Sequence, residues 1–105
     1  MKVHVTEIDI TKLTKTVGNL VGRAVGVEDI LMPYLSKLQP QLVVSIGEYD
    51  YEVLLGKERA DIVAELYELI WRTKIDWAAE LFARRHGMKY ALVIYGAWNT
   101  LIVFI

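Results

Sequence analysis

The stretch "YALVIYGAWNTLIVFI", residues 90–105, decides how the rest of the chain is read. It carries no charge over sixteen positions in a chain whose other residues include 12 Lys and Arg and 13 Asp and Glu. A helical bilayer span needs about 20 consecutive apolar residues. This run is shorter and is interrupted at "GAWN", where Gly96 and Asn99 are turn formers. The flanks "ALVIY" and "TLIVFI" are β-branched and aromatic, the composition of strands, so the segment reads as a β-hairpin. Leu101, Val103 and Ile105 alternate with Ile102 and Phe104, so both faces of its second strand are apolar. A strand with one wet face alternates apolar with polar, so this hairpin requires cover on both sides, by helices or by a second subunit.

Working back towards the N-terminus, "QLVVSIGEYDYEVLLG" (41–56) is too long for one strand, and Gly47 before "EYD" predicts a second hairpin. Its strands are Leu42–Ile46 and Tyr51–Leu55. Between the hairpins, residues 57–86 change to helical periodicity. Ile62, Leu66, Ile70, Trp77 and Leu81 form the stripe, and Glu68–Arg72 and Glu80–Arg84 are supporting i,i+4 pairs. One helix of that length would reach about 45 Å, so a break is expected near Thr73–Asp76, with "TKID" as a capping box and Gly87 as the later stop. At the start, "KVHVTEIDI" alternates as a first strand. A helix capped by Thr11 then runs to about Val25, with Leu13, Val17, Leu20, Val21 and Ala24 on one side. A short helix, "EDILMPYLSKL", follows Gly26, with Pro33 placed near its first turn. The expected fold is α+β: a single domain over 1–105, in the order β-α-α-β-β-α(α)-β-β, with helices covering a mixed or antiparallel sheet.

Composition narrows the function classes. The net charge is −1, so the whole-chain balance favours neither nucleic acid nor an anionic membrane surface. There is no cysteine, which removes disulfides, thiolate nucleophiles and thiolate metal sites and makes a cytoplasmic home natural. Asn and Gln are sparse beside Val, Ile, Glu and Arg, a thermophile-like composition. A melting temperature below about 60 °C would contradict that expectation.

Two charged constellations admit a chemical reading. Glu48, Asp50 and Glu52, at i, i+2, i+4, would share one face of an extended strand and could hold a hard cation. Arg84, Arg85 and Lys89, around His86, could hold phosphate. Together they sketch a metal-dependent nuclease or phosphoesterase, or a subunit that processes nucleic acid. Against this, the carboxylates suit a solvated hairpin tip, and the cations suit a helix C-terminus. His4 and His86 form no evident pair, and Ser36 and Ser45 lie in no nucleophile elbow. No catalytic residue and no cofactor are assigned. The preferred expectation is a non-enzymatic protein that acts by association, as a homodimer or as a subunit of a larger assembly.

The surface expected for that association combines Trp98, in the hairpin turn, with Leu101, Ile102 and Phe104. A terminal strand left at a sheet edge would invite aggregation, and a second chain would cover it. Gly18 and Gly22, spaced with Gly26 at every fourth residue of the first helix, would add a groove for close approach. Trp71 and Trp77 are expected in the core.

Overall fold

The computed structural model describes residues 2–105. The strands are β1 (His4–Asp9), β2 (Leu42–Ile46), β3 (Tyr51–Leu55), β4 (Tyr90–Tyr95) and β5 (Thr100–Phe104). The helices are α1 (Thr11–Val21), α2 (Val27–Leu35), α3 (Ala60–Arg72) and α4 (Ile75–Arg85), with short 3-10 turns at Ser36–Leu38 and Lys57–Arg59. The expected α+β order is present, and the second hairpin is built from the same two strands, with Ser45 opposite Glu52 and Ile46 opposite Tyr51.

The five strands form one mixed sheet in the order β1-β4-β5-β2-β3. β1 runs parallel to β4, and the other three pairings are antiparallel. The last strand, β5, is therefore the centre of the sheet; β1 and β3 are its edges. This explains the double apolar face of residues 101–104, all four of them fully buried. Ile102 and Phe104 point to one layer, with Val63 and Leu66 of α3 and Ala79, Phe82 and Ala83 of α4. Leu101 and Val103 point to the other, with Val27 and Leu35 of α2. At roughly 1.5–3 kcal/mol per fully buried aliphatic or aromatic side chain, this strand is a main source of cohesion. The cover that the sequence demanded comes from the chain's own helices.

Helix ends follow local chemistry: α1 takes in Thr11, the expected cap, as its first residue and ends at Val21, short of the expected Val25. α1 is preceded by Ile10, and its first free amide, Thr11 N–H, is accepted by Asp9 Oδ1 at 2.9 Å. It stops at Val21 because Gly22 adopts φ +74°, a left-handed cap, so Gly22 closes the helix and lines no groove. Before α2, the Gly26 amide donates to Asp29 Oδ2 at 2.9 Å, and the Asp29 amide returns to the Gly26 carbonyl at 3.1 Å. Pro33 falls in the last turn of α2, not the first. Only two residues of that helix follow it before a 3-10 turn begins. The break between α3 and α4 lies at Thr73 and Lys74, as expected, but without a capping box: Asp76 accepts from the adjacent Trp77 amide instead. Gly87, at φ +72°, ends α4 as anticipated.

The tryptophans depart from expectation. Trp71 and Trp77 are exposed, while Val63 and Leu66 of α3 and the alanines and Phe82 of α4 take the core positions. Trp77 instead carries the Lys74 ammonium 5.6 Å from its ring centre.

Candidate interaction surface

β1 and β4 finish at the end of the sheet where α1 and α2 begin and where the β2–β3 and β4–β5 turns lie. A half-buried polar knot ties these pieces together. Asn99, at the β4–β5 turn, accepts the Val27 amide on Oδ1 at 3.0 Å. Its Nδ2 donates to Glu28 Oε1 and to Ser45 Oγ, both at 2.8 Å. One side chain thus joins α2, β2 and the turn. The Gly96 amide closes the turn on the Asn99 carbonyl at 2.9 Å. A Cβ on Gly96 would press on Val27 Cγ2 at 2.6 Å, so the turn and α2 meet where only glycine fits.

α1 is attached differently. Of its residues only Thr14 and Gly18 are buried. The Thr14 hydroxyl accepts the Ala97 amide at 2.8 Å and donates back to its own helix. At Gly18 a Cβ would lie 2.9 Å from the Arg23 carbonyl oxygen, which keeps the position small, and 3.7 Å from the Trp98 indole nitrogen, an ordinary contact between α1 and the turn. Thr14 and Gly18 are one helical turn apart and define a narrow contact line. Of the apolar stripe read from the sequence, Val17 is half-buried beside that line and Leu13, Leu20 and Val21 face outward. Leu13 is 47% exposed, Val21 54% and Leu20 81%. Trp98 is also exposed, and its ring forms the bridge from α1 to the sheet end.

Beyond Trp98 the surface continues. A recess of about 440 Å³ joins Trp98 to Gly47 and Glu48 of the β2–β3 tip. Next to it a smaller, largely apolar cleft of about 240 Å³ lies between Ile46, Gly47 and Glu48 and the α3 residues Tyr67, Ile70 and Trp71. Tyr51, Tyr67 and Trp71 form an aromatic shelf, with ring centres 4.8 and 6.2 Å apart, and Tyr49 projects from the tip at 82% exposure. Large apolar groups exposed around recesses mark interaction surfaces.

Leu101, Ile102 and Phe104 are fully buried within the chain and present no surface to a second copy. The edge that they were expected to expose does not exist, because β4 and β2 pair with β5 on either side. Gly18 and Trp98 do meet, whereas a Cβ added at Gly22 would find nothing within 4 Å. Glu48 and Asp50 sit in the turn and Glu52 in β3, so the chain reversal removes the shared strand face that a cation would use. No three carboxylate or imidazole groups gather at metal-binding distance among the described residues.

Arg84 lies 3.7 Å from Glu80 and Arg85 2.7 Å from Glu65, while His86 Nε2 is 2.6 Å from the other Glu65 oxygen. The basic helix end is thus partly neutralised by α3 and α4. Lys89 stays exposed, its backbone bonded to Ile105 and His4. The hydrogen bond to His86, helped by Arg85, holds the Glu65 carboxyl below its ordinary value. Tyr95 titrates well above its usual range, because it is partly buried and its hydroxyl donates to Glu7.

No known protein family, curated protein or solved structure matches this chain. No helix among the described residues is long and apolar enough to cross a membrane.

Proposed function

We propose that this protein works by protein–protein association, through the outward face of α1 together with Trp98. The observation behind this reading is the exposure of Leu13, Leu20 and Val21 on a helix whose buried residues are Thr14 and Gly18 alone. An amphipathic helix gains most of its stability from burying its apolar face. Here that face is still available, beside an aromatic side chain of the type enriched at interfaces. The cysteine-free composition fits a reducing, cytoplasmic setting.

The test is hydrodynamic size, measured for the purified chain and for the chain in an extract of its own cells, with and without Leu20→Glu. The expected result is a mass above that of one chain in at least one setting. Leu20→Glu should return the protein to one chain's mass without altering the melting temperature measured at concentrations where the chain is monomeric. A chain that migrates as a monomer in both settings, or a complex indifferent to Leu20→Glu, overturns the reading.

A further inference from the structure

We infer that the occupant of this surface is a second copy of the same chain, with α1 of each protomer lying across the β2–β3 tip of the other about a two-fold axis near Trp98. This rests on the association reading above and names its partner. The first argument is charge. From Thr11 to Ala24 the only charged residues are Lys12, Lys15 and Arg23, all basic. Arg23 is loosely paired with Asp29 at 3.6 Å, and Lys12 and Lys15 form no ion pair among the described residues. The β2–β3 tip has the opposite character. Glu48, Asp50 and Glu52 are exposed, and none of them forms an ion pair among the described residues. A helix with unpaired cations beside an apolar stripe thus complements a tip with unpaired carboxylates beside an aromatic shelf.

The second argument is shape and size. An α1 of eleven residues is about 16 Å long and 10 Å wide. Its footprint of roughly 160 Å² is far below the ~800 Å² per partner of a stable interface. α1 alone therefore cannot hold a partner. In a two-fold contact each patch is used twice, because residue i meets j and j meets i. That geometry doubles the helix–tip footprint to roughly 320 Å² per partner and encloses the Trp98 recess between the two halves, a size that suits a weak, transient dimer. The patches are suitably placed, since α1 touches Trp98, Trp98 shares its recess with Gly47 and Glu48, and those two residues also line the 240 Å³ cleft. The cleft offers Leu20, the most exposed large aliphatic residue of α1, an apolar seat between Ile70 and Trp71.

The test uses sedimentation equilibrium of the full chain and two charge-reversed variants, Lys12→Glu with Lys15→Glu, and Glu48→Lys with Glu52→Lys. All four positions are exposed, and circular dichroism confirms that each variant is folded. Each variant alone confronts like charges at both contacts, so its dimer should weaken by about tenfold or more. Mixed one to one, the variants restore complementarity at both contacts of a heterodimer, and the affinity should return to within a few-fold of the unaltered chain. Salt is a second readout that needs no variant: dissociation of the unaltered dimer should increase from low to high ionic strength.

An unaltered chain that stays monomeric overturns the second-copy inference. The association reading then still stands if the extract complex persists and is lost on Leu20→Glu. A dimer indifferent to both charge reversals, or variants that weaken but fail to recover when mixed, overturns the helix-to-tip pairing.

Discussion

Gly22 and Asn99 show how one residue's role depends on whether its partners are local. Gly22 has no crowding neighbour; its requirement is the left-handed φ of +74° alone. Any L-residue there incurs the strain of that conformation, about 1–2 kcal/mol. Gly22→Ala and Gly22→Leu should therefore lose similar stability in urea unfolding. A leucine variant much worse than alanine would show that Gly22 packs against something after all. Asn99 is the opposite case. Read locally it is a turn former; in the fold it makes three side-chain hydrogen bonds to residues more than fifty positions away. At about 0.5–1.5 kcal/mol net per bond, Asn99→Ala should cost roughly 2–4 kcal/mol. A loss below about 1 kcal/mol, measured by the same unfolding, would mean that water replaces those bonds without penalty.

At the scale of elements, what is legible in the sequence is what local chemistry decides. The hairpin of 42–46 with 51–55 follows from one Gly and a polar tip, and the division of 57–86 follows from length and a polar gap. Periodicity also finds the α1 stripe of Leu13, Val17, Leu20 and Val21. It cannot say whether anything covers that stripe, because cover depends on where β4 and β5 return the chain. Trp71 and Trp77 escape a local reading for the same reason: α3 and α4 meet the sheet through smaller residues at neighbouring positions.

The α3–α4 pair carries a pH-sensitive tie, since Glu65 accepts from Arg85 and His86 on the opposite helix. Its carboxyl titrates below the ordinary 4.5 in the folded chain. A depressed folded value means that the tie contributes fully above the unfolded value and is lost as pH falls through the folded one. Compared with Glu65→Gln, the unaltered protein should be more stable at pH 7, and the difference should shrink progressively below pH 4.5. Equal stability of the two proteins at pH 7 would show that Arg85 and His86 gain nothing from the carboxylate.

For the whole molecule, the central place of β5 separates two kinds of apolar residue that look alike in the sequence. Ile102 and Phe104 face α3 and α4 in a continuous core, with the Phe82 and Phe104 ring centres 5.1 Å apart. Leu20 faces water from a helix with a narrow contact line. A charge placed at Ile102 would have no partner and no route to solvent, a situation that costs several kcal/mol or more. Against a total stability of about 5–15 kcal/mol for a domain, Ile102→Lys should leave no folded protein, whatever the oligomeric state. A charge at Leu20 should leave the melting of the monomer unchanged and alter only association, together with whatever stability association adds. The contrast also predicts the order of opening. Amide hydrogen exchange should be fast throughout α1, whose local unfolding exposes little new apolar surface, and slowest in β4 and β5, which open only with the whole sheet. In the self-associated state the α1 amides should slow while those of β5 stay unchanged, because the helix gains cover and the strand already has it. Slow exchange in α1 at concentrations where the chain is monomeric would show that the helix is held by its own fold and needs no partner.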